Sequence, residues 1–288
     1  NIFSTEFSVE IHDVKTQKKY CQTWTENMTQ KSDPKITKKS GDKGYAKFTF
    51  YPDLKRFNMK KLDDDIVALF EKRTYDACAC TKEAVSVFYN SKKLNFKSFE
   101  KYVDLYVGNK KDTLRVFESG KRWDVCVCHS NEGYKQVSFV NGINTSVGGT
   151  HVDHVTRQLV TKIMDKILAK NANSQVKATF VKEHMFVLVK ATIENPSFSS
   201  QTKTECLSKP QTFGSKFDPS DDFIKKVLKL GIMEDAQALA KHKEERDLSK
   251  TDGKKKTTIK GIPKLDDANW AGGPKSQQTT LLLTEGDS

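Results

Sequence analysis

The sequence predicts an α+β fold spread over about two domains, and three observations predict it. Short segments near the start alternate apolar and polar residues with period two, the mark of half-buried strands. Further on, a long amphipathic helix lies between two strongly apolar segments, the order of a βαβ unit. The length of 288 residues suits roughly two domains of ~100–200 residues, and a hydrophobic content of 36% with 17 Phe argues against wholesale disorder.

In residues 1 to about 106, Phe7-Ser8-Val9-Glu10-Ile11 and Ala46-Lys47-Phe48-Thr49-Phe50 read as strands, the second introduced by the turn Ser40-Gly41-Asp42-Lys43-Gly44. A helix is expected from Leu62 to Tyr75, opened by Asp63-Asp64-Asp65. These carboxylates suit the positive end of a helix dipole. Consecutive helical residues do not converge on one ion, so the triple Asp reads as capping rather than as a metal site.

A second unit is expected from about 107 to 232. Trp123 to Cys128 and Tyr134 to Val140 read as strands joined in a hairpin through His129-Ser130-Asn131-Glu132-Gly133. His151 to Ala169 is a helix with Val152, Val155, Leu159, Ile163 and Ile167 on one side and Lys162, Lys166 and Lys170 along the other. Val176 to Thr192 then returns as strand. His151-x-x-His154 with Asp153 could be drawn as a metal site, but capping by Asp153 and packing by the histidines is the preferred reading. Phe223 to Leu230, stopped by Gly231, is a short helix, and Met233 to Leu248 a charge-rich one leading out of the domain. Residues 233–260 thus form a linker helix and a basic loop with Lys254-Lys255-Lys256. In residues 261–288, Leu281-Leu282-Leu283 reads as a buried strand that delivers Glu285 onto a Gly-Asp-Ser turn.

Lys and Arg (49) exceed Asp and Glu (37), giving net charge +12 and a pI near 9.2. This favours polyanion partners, nucleic acid or nucleotide phosphates. The six cysteines contain no Cys-x-x-Cys pair, and Cys126 and Cys128 point to one side of a strand, so buried reduced thiols are expected. No signal peptide and no apolar run of ~18 residues is found, so a reduced intracellular compartment and no membrane partner are expected. No Met opens the chain and its last residues fall inside a motif, so an internal fragment of a larger protein is expected.

Several blocks carry a resemblance: Ser138 to Thr145 with Gly148-Gly149-Thr150-His151-Val152-Asp153, Ile193-Glu194-Asn195-Pro196 leading to Gln201-Thr202-Lys203, Gly261 to Asn269, and Thr284-Glu285-Gly286-Asp287-Ser288. In this order they resemble type IIA DNA topoisomerases. The similarity runs through nearly the whole chain and looks like the eukaryotic DNA topoisomerase II branch. It implies the C-terminal half of a GHKL ATPase fold, then a transducer domain with a βαβ unit, then the first strand of a TOPRIM domain.

It also implies ATP and Mg²⁺ as cofactors, double-stranded DNA as partner, a homodimer in the parent protein, and the nucleus as location, with the cytoplasm as alternative. Gln201, Thr202 and Lys203 would belong to a loop reaching the ATP site of the adjacent ATPase module, Lys203 meeting the γ-phosphate. Lys166 and Lys170 would face transported DNA, Lys264 the DNA gate, and Glu285 would be a metal-site and catalytic carboxylate. Without the resemblance, Gln201 to Lys203 read as a solvated loop and the lysines as a solvated helix face. Trp270 departs from the family pattern, which has a polar or charged residue there. The family's glycine-rich ATP lid has no counterpart, so the isolated chain is expected to be inactive. Two rival readings are a noncatalytic basic DNA-binding or scaffold module and a GHKL-type repair ATPase or chaperone.

Overall fold

Alternation at the start of the chain produces an antiparallel sheet of five strands: β1 (Ser4–Asp13), β2 (Lys18–Thr25), β3 (Gln30–Lys31), β4 (Lys35–Lys38) and β5 (Tyr45–Pro52). The computed structural model describes residues 1–96, 98–109, 111, 113–251, 267–268 and 270–283. They group into two units, 1–73 and 74–288. In the first unit β1 is central, antiparallel to β2 and β5, with Phe7 opposite both Trp24 and Phe50. Cross-strand partners share a face, so Phe7, Val9, Phe48 and Phe50 form one apolar side. Phe48 and Phe50 nevertheless stay 62% and 53% exposed. On the other side the buried His12 ring lies 2.9 Å from the main-chain oxygens of both Lys39 and Lys43, pinning the turn before β5.

Helix α1 (Asp64–Cys80) runs further than the sequence predicts, and Ile66 N donates to Asp63 Oδ1 (2.9 Å), so Asp63 is its capping residue. A small hairpin, β6 (Phe88–Tyr89) with β7 (Lys92–Lys93), precedes α2 (Phe99–Val107). Sequence reading missed α2, although Phe99, Tyr102, Val103 and Tyr106 have helical spacing and Ser98 caps it by accepting from Lys101 N (3.2 Å).

The second sheet contains β8 (Arg115–Ser119), β9 (Trp123–His129), β10 (Lys135–Val140), β11 (Ile143–Asn144) and β13 (Met185–Ala191), in the order β11-β10-β13-β9-β8. Between them in the chain come β12 (Gly148–Gly149), α3 (Thr150–Lys170) and α4 (Ala178–Glu183). Beyond β13 lie β14 (Glu205–Cys206), α5 (Asp221–Val227) and α6 (Ile232–Thr251).

The expected hairpin between β9 and β10 does not form. β13 separates them, antiparallel to β9 and parallel to β10. The physical reason is burial: β13 is apolar on both faces and gains most from the central place. The β10-α3-β13 crossover is the βαβ unit that the sequence predicts. The expected strand from Val176 to Thr192 is shorter, because α4 occupies its first part.

Val125, Val127, Met185, Val187 and Val189 pack with Val155, Leu159, Ile163 and Ile167 of α3. Cys126, Cys128, Phe186 and Leu188, one residue out of phase, pack with Phe139 and with Phe99, Tyr102 and Val103 of α2. The sheet is thus sandwiched between helices. On the α2 side Tyr102 Oη donates to Asp76 Oδ1 (2.7 Å), and burial together with this carboxylate pushes the phenol pKa up. All six cysteines are free thiols, and Cys126 and Cys128 are buried as expected.

Two expectations are corrected. Leu281 to Leu283 belong to no strand, and their side chains are 73–83% exposed. The expected buried strand is therefore not formed at Leu281 to Leu283: an apolar run gains from the strand state only through a paired ladder and a covered face, and among the described residues neither is supplied; Thr284 to Ser288 lie outside the described residues. Helix α3 has Gly149 at its N-cap and so no side-chain cap; Asp153 contributes only its charge in the first turn. No helix of the described residues is long and apolar enough to cross a membrane.

Ile163 is fully buried between α3 and the sheet. Ile163→Ala is expected to lower the unfolding free energy by about 2–5 kcal/mol, measured by urea denaturation followed by circular dichroism. An effect within the range of a surface substitution would contradict this core assignment.

Candidate functional site

Two of the blocks singled out in the sequence, Ser138 to Asp153 and Ile193 to Lys203, meet at one end of the second sheet. The chain leaves β13 into Ile193-Glu194-Asn195-Pro196, and Asn141 holds this turn from both sides. Its Nδ2 donates to Ile193 O (2.9 Å) and its Oδ1 accepts from Ile193 N (2.8 Å). Arg122 adds a second clamp, donating to Thr192 O (3.1 Å), Glu194 Oε1 (2.7 Å) and Gly214 O (3.3 Å). Sequence reasoning missed Arg122 and gave Asn141 no role. No local pattern marks them, since their partners lie 52 to 92 residues away.

From Ser197 to Leu207 the chain folds back on itself. Ser199 N donates to Glu205 O (3.1 Å), and Leu207 N donates to Ser197 O (2.9 Å). Ser200 to Lys203 is the tip, closed by Lys203 N donating to Ser200 O (3.0 Å). Lys203 has φ of 58°, a left-handed conformation that is uncommon outside glycine. Gln201 and Thr202 are exposed at the tip. Lys203 is half-buried, its ammonium 5.8 Å from the centre of the Phe198 ring.

The base of this hairpin is fixed by β14, which pairs in parallel with β12. The pairing depends on Gly149, whose φ is 127° and where an added Cβ would lie 2.2 Å from Cys206 O and 2.6 Å from Cys206 N. Only glycine permits that approach. Thr150, the first residue of α3, donates to Ser208 O (2.6 Å), so hairpin and helix share one anchor.

His151 is fully buried at the start of α3, its Nε2 3.2 Å from Thr145 Oγ1, which in turn lies 2.6 Å from Ser138 Oγ. Burial lowers its pKa to about 4 from 6.5. His154 is half-buried against Trp123 and Phe213. The two histidines pack, as the sequence suggests, and form no metal cluster with Asp153 among the described residues.

Lys166 and Lys170 are exposed on the last turns of α3 and make no ion pair among the described residues; they do not lie on the side opposite Ile163 and Ile167, where the sequence reading puts them, since Lys170 is seven residues from Ile163 and Lys166 three. Lys264 and Glu285 lie outside the described residues, so no structural statement attaches to the DNA-gate or metal-site expectations. Trp270 is half-exposed, with the Lys275 ammonium 5.0 Å from its ring centre. One hairpin offering an ammonium, an amide and a hydroxyl can add contacts to a phosphate-bearing ligand such as ATP. It does not enclose one.

Comparison with known proteins identifies the class. The family model described as DNA gyrase B matches residues 88–247. The chain belongs to this family, on its eukaryotic DNA topoisomerase II branch. It is 48% identical over 295 residues to DNA topoisomerase 2 of Arabidopsis thaliana and 46% identical over 296 residues to DNA topoisomerase 2-alpha of Homo sapiens. Both alignments cover 100% of this chain but only 20% and 19% of those relatives. The chain therefore spans about a fifth of the length of the curated relatives it matches.

Among solved structures, the ATPase region of Saccharomyces cerevisiae topoisomerase II superposes with TM-score 0.76 at 38% identity, covering 83% of this chain and 62% of that one. The ATPase and transducer domains of DNA topoisomerase II from Balamuthia mandrillaris give TM-score 0.79 at 36% identity, covering 85% and 63%.

The depressed His151 pKa has a testable consequence for stability. Unfolded, the imidazole binds a proton near 6.5; folded, only near 4. Between these values the unfolded state holds more protons, so stability is full above pH ~6.5 and falls with pH until ~4. The loss attributable to this residue is about 3 kcal/mol. His151→Gln should lack this component, whatever its offset at neutral pH. The measurement is urea unfolding of both proteins across that pH range, and parallel pH profiles would refute the assignment.

Proposed function

We propose that this chain is the transducer-bearing segment of an ATP-dependent type IIA DNA topoisomerase, an enzyme that passes one duplex through a transient double-strand break in another. In this reading residues 1–106 are the C-terminal part of a GHKL ATPase domain and 107–232 the transducer domain. Residues 233–260 are a linker helix and basic loop, and 261–288 the start of the TOPRIM and DNA-gate region. The parent protein works as a homodimer in the nucleus.

The observation that carries this reading is the clamped hairpin of Ser197 to Leu207. Gln201, Thr202 and Lys203 sit at its tip, and its base shares an anchor with α3 through Gly149 and Thr150. At the ATP site of the neighbouring module, the Lys203 ammonium stabilises charge spread over the phosphoryl oxygens, the main task in phosphoryl transfer. Gln201 and Thr202 supply polar contacts. A shift of the tip reaches α3 through the rigid hairpin base, and α3 carries Lys166 and Lys170, which contact phosphates of the transported duplex. Lys264 contacts DNA at the gate. Glu285 helps to hold Mg²⁺, which when bound neutralises charge on the transferring phosphate.

In the intact enzyme that contains this segment, Lys203→Ala is expected to slow ATP hydrolysis by up to about 10²-fold and to reduce strand passage with it. Wild-type rates in both assays would remove Lys203 from the nucleotide site.

Lys170→Ala is expected to leave basal ATP hydrolysis unchanged and to lower the slope of log affinity for duplex DNA against log salt by about one unit. An unchanged slope from binding titrations at several salt concentrations returns Lys170 to the solvated face.

A further inference from the structure

We propose that His129, His184 and Asp235 form a binding site for a divalent transition-metal ion, zinc foremost, that ties the start of α6 to the second sheet. The three residues each offer one donor atom, and these atoms all lie within 4.8 Å of one another. Asp235 Oδ2 is 2.6 Å from His129 Nε2, and the two imidazole rings are stacked, 5.9 Å apart and 6° from parallel. Despite the closeness of Asp235, His129 Nε2 and both ring nitrogens of His184 are shielded from solvent yet have no hydrogen-bond partner. A polar nitrogen withdrawn from water without a partner is destabilising by about 1–3 kcal/mol, and here one nitrogen of each imidazole lies in one cluster with the Asp235 carboxylate. A shared cation satisfies one nitrogen of each ring.

The scaffold suits a metal. His129 ends β9, His184 precedes β13, and the next residue, Met185, pairs with His129 in the ladder. Ser130 N donates to His184 O (3.0 Å), so the backbone holds both imidazoles beside each other. Asp235 comes from the first turn of α6, its N donating to Gly231 O (3.1 Å). Metal–donor bonds of ~2.0–2.1 Å in a tetrahedron place donors about 3.3 Å apart. One pair stands at 2.6 Å and all three donors lie within 4.8 Å of one another, close to that spacing. Two imidazoles and a carboxylate suit zinc, cobalt or nickel, whereas Mg²⁺ and Ca²⁺ prefer all-oxygen shells. Three protein ligands leave the fourth position to water.

The test uses the 288-residue chain freed of metal by chelator. Zn²⁺ titrated by calorimetry is expected to bind one equivalent and to raise the melting temperature, and Co²⁺ to give ligand-field bands without thiolate charge-transfer absorption. Long-range ¹H–¹⁵N spectra should show the ring signals of His129 and His184 shifting on Zn²⁺ addition while those of His151 and His154 stay. His184→Gln and Asp235→Asn should each weaken Zn²⁺ binding by more than ~10-fold, the loss expected on disturbing a metal shell. The proposal is overturned by absence of Zn²⁺ binding, by thiolate bands that place the metal on cysteine, or by unmoved His129 and His184 signals. Because the ring signals are read on the wild-type chain, misfolding of a variant leaves the outcome of the test unaffected.

Discussion

The second unit depends on the central position of β13. Its residues face two cores at once, Met185, Val187 and Val189 toward α3 and Phe186 and Leu188 toward α2. A strand buried on both sides needs a partner at each edge, because every unpaired main-chain group there is withdrawn from water. β10 and β9 supply those edges, one parallel and one antiparallel. The parallel pairing requires a crossover long enough to return the chain to the same end of the sheet. α3 is that crossover, and its buried side follows from this requirement.

Where β13 ends, its direction sets the candidate site. The chain emerges into a turn clamped by Asn141 and Arg122, then into a hairpin seated against Gly149. None of these contacts is strong alone. Together they leave a short polar tip on a base that shares its anchor with the start of α3. The same logic operates at the opposite strand end, where the ladder sets His129 beside His184 and brings both to α6.

Much of this was legible along the chain. Period two located β1, β5, β9, β10 and the apolar heart of β13. The 3.6-residue period located α3, α5 and α6. The blocks from Ser138 to Asp153 and from Ile193 to Lys203 carry the family resemblance. The element α2 was missed although its signal was present in Phe99, Tyr102, Val103 and Tyr106. Strand β2 was missed for a better reason: its polar sequence becomes a strand by pairing with β1.

The sequence by itself determined which segments alternate and which coil, the basic charge balance, and the glycines and polar residues that mark the site, because these depend on local sterics and on composition. Only the tertiary structure decided that β13 lies between β9 and β10, that Gly149 meets Cys206, and that His129, His184 and Asp235 face one another. It also decided that Leu281 to Leu283 stay exposed, since an apolar run becomes a strand only where a partner offers its ladder and a second layer covers its face. Pairing and layer contacts join residues far apart in sequence, and a local pattern carries no record of its partner.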